Sequence, residues 1–180
     1  IVNGKNQAEQ RRRIAENAMA QAQHKAPIET GAPDPMPLMH PVMRKNYGSW
    51  IYHDHPRPGV LMHRAQGGDQ IWTVKAGTQR QMDVHTVRKL CDIADQYADG
   101  HVRFTTRSNI EYMVADKAKV EPLIAALTDA GFPIGGTANS VSMIAHTQGW
   151  LHCDIPGTDA SGVTKALMDE LHQEFIHCEM

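Results

Sequence analysis

The residues best suited to chemistry lie between Ile134 and Cys153. This stretch begins with Gly135-Gly136 and continues with small and hydroxyl-bearing residues. Glycines let a backbone approach a bulky ligand closely, and N–H groups beside Ser and Thr suit carboxylates or phosphates. The composition alone indicates a binding loop, and a buried turn is the simpler alternative.

The stretch closes on a group of side chains that could bind metal or act as nucleophiles, namely His146, Gln148, Trp150, His152 and Cys153. A Cys-His pair favours either a metal centre or a thiol activated by imidazole. No C-x-x-C or H-x-x-x-H spacing accompanies it, so a closed zinc site is not indicated. A packed core thiol is the structural alternative for Cys153.

A second candidate group lies in R-F-T-T-R-S-N, from Arg103 to Asn109. If this run is a strand, the two-residue alternation places Arg103, Thr105 and Arg107 on one face. Two guanidiniums on one face form a platform for anions, because each can grip an oxyanion through two parallel hydrogen bonds. Solvated arginines on a half-exposed strand are the alternative reading.

Composition limits the class of protein. The chain has 180 residues and a formal net charge of −2, which gives no nucleic-acid footprint. No apolar run reaches membrane-spanning length. Cysteines occur only at positions 91, 153 and 178, too few for a disulfide-stapled secreted fold, so we expect a cytoplasmic protein.

The N-terminal part differs in composition from the rest. Residues 7–25 are rich in Ala, Gln, Glu and Arg, which predicts a polar helix with a thin apolar face. Prolines then recur through residues 26–42, which predicts extended, irregular backbone. An arm that wraps a neighbouring subunit and a disordered leader are both open interpretations.

From Tyr47 the composition is globular, and the pattern alternates pairs of strands with helices. Turn residues and apolar periodicity predict strands at 59–65, 70–76, 101–106 and 110–115, and helices at 82–100 and 117–130. Asp83 or Thr86 could cap the first helix, and Cys91 falls on its apolar stripe, which predicts a core position. The order indicates an α+β fold with an antiparallel sheet layered against helices.

A last helix is predicted to begin near Thr158–Ser161 and to run to about His177. Helical spacing predicts an inner face formed by Val163, Ala166, Leu167, Leu171 and Phe175.

Several motifs together resemble the beta subunits of the dissimilatory sulfite reductase family. They are Y-G-S-W from Tyr47, R-F-T-T-R-S-N-I-E-Y from Arg103, G-F-P-I-G-G-T from Gly131 and H-T-Q-G-W-L-H-C from His146. The resemblance covers roughly residues 40–180, and the last motif is the most specific.

The resemblance implies a domain order and an activity. It implies an N-terminal arm with one polar helix over 1–45, a ferredoxin-like sulfite/nitrite reductase half-domain over 46–132, and the start of the siroheme-binding α/β domain over 133–180. Members of the family reduce sulfite in sulfate and sulfite respiration, at a siroheme coupled to a [4Fe-4S] cluster through a shared cysteine thiolate. It also implies an alpha subunit in an α2β2 tetramer, and a small sulfur-carrier protein with a cysteine-bearing C-terminal arm.

The resemblance also implies roles for individual residues. Cys153 matches the first cluster ligand, and Arg103 and Arg107 match groups expected to act on the substrate. The residues matched to the siroheme surroundings are Arg103, Thr105, Thr106, Arg107, Asn109, Thr137, Asn139, His146, Thr147, Gln148 and Gly149.

The sequence departs from the family pattern in two respects. The family continues into a Cys-Cys-x-x-x-Cys run and a ferredoxin domain with a second cluster, so we expect this chain to be the N-terminal portion of a longer subunit. Ile134–Cys153 contains no Arg or Lys, so the rest of an anion cage would come from that continuation or from the alpha subunit. Cys178 matches no ligand and is expected to be structural.

Two other functions remain open at this point. The chain could be a non-catalytic interaction subunit that holds a partner through its N-terminal arm. It could also belong to a siroheme nitrite reductase, because the same pocket residues suit either oxyanion.

Overall fold

The computed structural model describes residues 34–137, 140–141 and 144–178. The chain divides into two units between Ser49 and Trp50. The helix predicted at 7–25 and the residue Asn139 lie outside the described residues.

The described part of the first unit contains a 3-10 turn, Met36–Leu38, and a short helix α1, Pro41–Lys45. The proline content predicted extended, irregular backbone over residues 26–42. The described part of this region is instead partly helical. Proline is compatible with the first turn of a helix because that N–H has no helical partner, and Pro41 occupies this position. The Nδ1 atom of His40 caps α1 by accepting a hydrogen bond from the Val42 N–H at 3.2 Å.

The second unit is built on a five-stranded sheet with the order β1-β2-β3-β5-β4. The strands are β1 Trp50–Arg57, β2 Val60–Ala65, β3 Gln70–Gly77, β4 Val102–Phe104 and β5 Asn109–Val114. All neighbours pair antiparallel, which confirms the α+β fold and both predicted hairpins. Strand β1 was not predicted, because its W-I-Y-H-D-H-P-R sequence lacks apolar alternation; it lies at the sheet edge, where Pro56 is tolerated.

Two helices, α2 Val84–Tyr97 and α3 Val120–Asp129, contribute to the apolar core with one face of the sheet. The Asp83 carboxylate caps α2 by accepting a hydrogen bond from the Thr86 N–H at 2.7 Å, as one of the two predicted caps. Hydrogen bonds from the Thr86 backbone and then from its side chain hold the pKa of Asp83 below its ordinary value. The fully buried core side chains include Val74, Ile110, Tyr112, Leu123 and Leu127.

The prediction that Cys91 lies in the core is wrong. The buried side of α2 is formed by Leu90, Ile93 and Ala94, and Cys91 is exposed. Successive residues of a helix are rotated by about 100°, so the position after Leu90 turns away from the sheet.

The last helix, α4 Ala160–His177, has the predicted start and end. Asp159 caps it by accepting a hydrogen bond from the Gly162 N–H at 3.1 Å. The predicted inner face is partly wrong, because Val163 and Leu167 are 56% and 42% exposed, and Ala166 is exposed as well. The face turned inward contains buried Thr164 and half-buried Met168, Leu171, His172 and Phe175.

Among the described residues, no helix has the length and apolar character needed to cross a membrane.

Candidate functional site

The R-F-T-T-R-S-N run is a strand only as far as Phe104. A tight turn follows, in which the Thr105 Oγ1 accepts a hydrogen bond from the Asn109 N–H at 3.1 Å and Ser108 has a φ of 57°. Because the backbone turns here, Arg103, Thr105 and Arg107 do not share one strand face, and that prediction is wrong. Arg103 lies on β4, whereas exposed Arg107 lies in the turn.

The turn at 105–108 is attached to the end of β3. The Thr78 N–H and hydroxyl both donate hydrogen bonds to the Ser108 carbonyl, at 3.3 and 3.0 Å. Thr78 starts the loop that leads into α2, and Arg80 lies two residues further along this loop. The β3–α2 loop and the arginine-bearing turn therefore lie together at one end of the paired strands β3 and β5.

The first part of the glycine-containing stretch is attached to the same end of β3. Ile134 bridges Ala76, and the Gly135 N–H donates a hydrogen bond to the Lys75 carbonyl at 2.8 Å. Gly59, with a φ of 77°, faces this segment, and a Cβ there would lie 2.5 Å from the Gly135 carbonyl oxygen. Gly59 is therefore required by the close packing of two backbone segments.

The next residues form a tight polar turn. The Ser140 hydroxyl donates a hydrogen bond to the Thr137 carbonyl at 2.7 Å, and both residues are buried. A Cβ at Gly136 would collide with the Ser140 hydroxyl. This glycine serves the turn itself. Thr137, one of the residues predicted to surround the cofactor, lies in this turn.

The H-T-Q-G-W-L-H-C segment is held mainly by polar contacts. The Arg80 guanidinium donates a hydrogen bond to the His146 carbonyl, and the Ser161 hydroxyl donates one to the Gln148 carbonyl at 2.7 Å. Gly149 has a φ of 56°, and a Cβ there would lie 2.8 Å from the Ala160 N atom at the start of α4. Gly149 is thus required for the packing of this segment on α4.

One histidine of this segment has a defined tautomer. The His146 Nδ1 lies 2.6 Å from the Thr147 carbonyl oxygen. A carbonyl oxygen only accepts hydrogen bonds, so Nδ1 carries the proton and the Nε2 of the neutral ring is left as an acceptor. The Nε2 of His146 could therefore accept a hydrogen bond from a ligand.

The β3–α2 loop, the turn after β4, residues 131–133, the H-T-Q-G-W-L-H-C segment and α4 line an open cleft of ≈ 930 Å³. The β3–α2 loop contributes Thr78 and Arg80, the turn contributes Ser108, and the later segment contributes His146 and Gln148. A smaller recess of ≈ 460 Å³ shares Arg80 and Gln148 and includes His152. A cleft of this size can hold a large ligand.

The structure brings part of the predicted site together. His146 and Gln148 line the cleft, and the turn with Thr105, Thr106 and Arg107 adjoins it through Ser108. Arg103 and Asn109 lie on the adjoining strands, and Thr147 is exposed beside the cleft. Thr137 is buried in its own turn.

Cys153 ends the segment with an exposed thiol, and its N–H donates a hydrogen bond to the Gly149 carbonyl at 3.1 Å. A packed core thiol is therefore excluded for this residue. Cys178, which follows α4, is also exposed. Among the described residues, no cluster of three or more His, Cys, Asp or Glu side chains is arranged to hold a metal ion.

Sequence reasoning missed three polar residues. Arg80 forms part of the cleft wall and hydrogen-bonds the His146 backbone. Glu111 and Lys75 form a buried ion pair at 3.2 Å on the sheet. Arg80 could have been suspected from its position between a strand and a helix cap, but strand alternation carries no signal that a Glu and a Lys are paired and buried.

Burial also changes the protonation of two side chains in this unit. Desolvation, followed by the nearby His53, lowers the pKa of His63 from its ordinary value. Desolvation raises the pKa of Tyr112, whose hydroxyl donates a hydrogen bond to the Leu90 carbonyl at 3.3 Å. Tyr112 therefore stays protonated and serves the core.

Comparison with known proteins identifies the class to which this fold belongs. The family model for nitrite/sulfite reductase ferredoxin-like half domains matches residues 63–130. The crystal structure of dissimilatory sulfite reductase I superposes with a TM-score of 0.65 at 13% identity, covering 81% of this chain and 38% of that chain. The second unit therefore contains a ferredoxin-like half domain of the nitrite/sulfite reductase type.

Relatives at higher identity specify the branch of that class. The chain is 54% identical over 142 residues to the dissimilatory-type sulfite reductase subunit beta of Nitratidesulfovibrio vulgaris, covering 75% of this chain and 37% of that relative. It is 50% identical over 145 residues to the corresponding subunit of Archaeoglobus fulgidus, covering 77% of this chain and 40% of that relative. A third such subunit, from Megalodesulfovibrio gigas, is 49% identical over 142 residues, covering 75% of this chain and 54% of that relative.

The resemblance to dissimilatory sulfite reductase beta subunits is thus confirmed over three quarters of the chain. The chain spans between about two fifths and about half of the length of these curated relatives.

Proposed function

We propose that this chain is part of the beta subunit of a dissimilatory sulfite reductase, which reduces sulfite in several one-electron steps. The observation that supports this most strongly is the cleft to which the β3–α2 loop, the turn after β4 and the H-T-Q-G-W-L-H-C segment all contribute. Parts of three of the four family-like motifs therefore line one cleft of the second unit, although Ser108 and Gln148 are 40 positions apart in sequence.

The donor set fits the cofactors of that enzyme. Siroheme carries several carboxylates and an iron, and its cluster is bound through cysteine thiolates. Arg107 offers an exposed guanidinium and Cys153 an exposed thiol, so neither group has to leave a packed core to reach a ligand. When bound, siroheme and its [4Fe-4S] cluster supply electrons one at a time.

Cys153 is proposed as one ligand of the cluster. The remaining ligands, and those of a second cluster, would come from outside the described residues. The Cys153 thiol ends a segment that is held by hydrogen bonds from Ser161 of α4 and from Arg80. Such a segment can adjust when a ligand binds.

Arg103 and Arg107 are proposed to neutralise the carboxylates of the macrocycle and the charge of the sulfite oxyanion. Each guanidinium provides fixed donors, and a positive side chain near the substrate stabilises negative charge as oxygen leaves as water. Thr105 has committed its oxygen to the Asn109 N–H but can still donate its own O–H. Thr106 and Thr147 offer exposed hydroxyls beside the same cleft.

The polar side of the cofactor surroundings is proposed to include Asn109, Thr137, Asn139, His146, Gln148 and Gly149. His146 has a defined role in this proposal, because its Nδ1 proton is engaged with the Thr147 carbonyl and its Nε2 is available to accept a hydrogen bond. Gln148 can donate to a carboxylate through its amide group.

The proposal extends to the assembly. Residues 1–45 are proposed to form an arm, 46–132 the half domain, and 133–180 the start of the siroheme-binding domain of a cytoplasmic α2β2 tetramer. A small sulfur-carrier protein with a C-terminal cysteine arm is the proposed further partner. If residues 1–40 are only an arm, their deletion should abolish assembly with the alpha subunit while the cofactor spectra survive.

The test of the activity uses the complete beta subunit purified with its alpha subunit. The proposal predicts the absorption bands of a reduced isobacteriochlorin and turnover of sulfite in preference to nitrite. Preferential turnover of nitrite would instead indicate a siroheme nitrite reductase. A colourless, iron-free complex would indicate an interaction subunit and would contradict the proposal.

A further inference from the structure

A buried carboxylate on the sheet holds two cations from neighbouring strands. Glu111 of β5 pairs in register with Arg103 of β4 and with Lys75 of β3. Its Oε1 lies 3.2 Å from the Lys75 Nζ, and its Oε2 accepts a hydrogen bond from the Arg103 Nη2. The Glu111 side chain is only 2% exposed, so both of its oxygens are committed inside the protein.

The two cations differ in their access to ligands. The Lys75 side chain is 9% exposed, whereas that of Arg103 is 56% exposed. A guanidinium has five N–H donors, and the ion pair with Glu111 engages one of its two terminal nitrogens. Arg103 therefore keeps donors that can reach a ligand, while the buried Glu111 carboxylate fixes the orientation of its guanidinium.

The charge of the group favours an anionic ligand. Two cations and one carboxylate leave a net charge of +1 on this group. Lys75 offsets the Glu111 charge within the sheet, so the remaining positive charge resides on the exposed guanidinium of Arg103. A buried Glu–Lys pair is a poor way to stabilise a sheet, because apolar residues of similar size often serve as well or better.

We propose that Glu111 is a positioning residue, which with Lys75 fixes the Arg103 guanidinium so that its outward donors bind an oxyanion at the site. This inference rests on the proposed function, since the oxyanion is either a carboxylate of the siroheme or the sulfite substrate. Glu111 acts through Arg103 and touches neither.

The test compares variants of the complete α2β2 enzyme. Glu111→Gln removes the anchoring charge, and the double variant Lys75→Met with Glu111→Gln removes it without leaving a lone buried ammonium. The double variant keeps the test valid if the single one does not fold. Glu121→Gln is the matched control, because Glu121 forms an exposed ion pair with Arg57 at 2.8 Å.

If Arg103 binds the substrate oxyanion, the double variant should raise the KM for sulfite about tenfold, equivalent to about 1.4 kcal/mol, at unchanged siroheme content. If Arg103 binds a siroheme carboxylate, the siroheme content per αβ pair, read from the absorption bands, should fall instead. Either result supports the inference. Arg103→Gln alone should have the same effect as the double variant, and combining it with the double variant should give no further change. Glu121→Gln should change neither quantity.

The inference is overturned if the double variant keeps the wild-type KM and siroheme content, or loses only thermal stability, while Arg103→Gln changes either one. It is also overturned if Arg103→Gln changes neither. Failure of the proposed function is distinct, because a wild-type complex without siroheme or sulfite turnover would reveal it before any variant is compared.

Discussion

The half domain and the segment from Ile134 to His177 are held together in different ways. In the half domain, α2, α3 and one face of the sheet share a continuous apolar core. In the later segment, Ile134 packs against that core. Beyond it, hydrogen bonds join Arg80 to the His146 carbonyl, Ser161 to the Gln148 carbonyl, and the Val141 N–H to the Phe175 carbonyl at 3.0 Å. The first arrangement fixes a scaffold, and the second presents chemistry-bearing groups that a ligand can still adjust.

The largest expected difference concerns one leucine in each region. Leu123→Ala in α3 removes a fully buried side chain and should lower the free energy of unfolding by about 2–5 kcal/mol. Leu167→Ala in α4, where the side chain is 42% exposed, should change it by no more than about 0.5 kcal/mol. Urea unfolding of both variants checks this, and equal costs would show that α4 is packed as tightly as α3.

The second prediction concerns the junction of the two regions. Gly59→Ala places a methyl group against Ile134 and the Gly135 carbonyl at a positive φ, and should cost about 2–4 kcal/mol of stability. Gly68→Ala is the control, because Gly68 has a φ of 90° with no atom within 4 Å of an added Cβ. Its cost should be only about 1 kcal/mol, from the backbone conformation alone. Similar melting temperatures for the two variants would mean that residues 134–135 do not pack on Gly59.

A smaller effect is expected within the later segment. Ser161→Ala removes the hydrogen bond to the Gln148 carbonyl, which is worth about 1 kcal/mol. Amide hydrogen exchange at Leu151 and Cys153 should become roughly fivefold faster, while exchange in β3 and β5 stays unchanged. Faster exchange throughout the sheet would contradict the separation of the two regions.

The smallest effect concerns pH. Burial lowers the pKa of His63 in the folded state, so the unfolded chain binds a proton there more readily. Stability should therefore decrease as pH falls below the ordinary histidine value of about 6.5 and through the lowered folded pKa. His63→Gln should make the free energy of unfolding less dependent on pH below about 7. An unchanged slope in His63→Gln would show that this ring is not desolvated.

The sequence predicts the half domain well because its signals are local. Gly67-Gly68 marks the first hairpin, and Asp83 followed by apolar residues at helical spacing marks α2. Strand β1 was missed because an edge strand can be exposed on both faces and then carries no alternation.

The site was predicted less completely, because its geometry depends on contacts distant in sequence. The rotation of α4 is set in part by the Ser161 and Phe175 contacts, so apolar spacing alone misplaced Val163 and Leu167 on the inner face. Glu111 reads as a solvent-facing strand residue until the register brings Lys75 and Arg103 beside it. The resemblance to the reductase family supplied candidate cofactor-binding residues that the spacing of residue types could not indicate.

The most direct test of the account is the iron and acid-labile sulfide content of the purified α2β2 complex with Cys153→Ser. The matched control is Cys178→Ser, because both thiols are exposed and only Cys153 ends the H-T-Q-G-W-L-H-C segment. The account predicts that Cys153→Ser loses the siroheme-coupled cluster and its absorption bands, while Cys178→Ser retains both. Wild-type iron, sulfide and spectra in Cys153→Ser would contradict it.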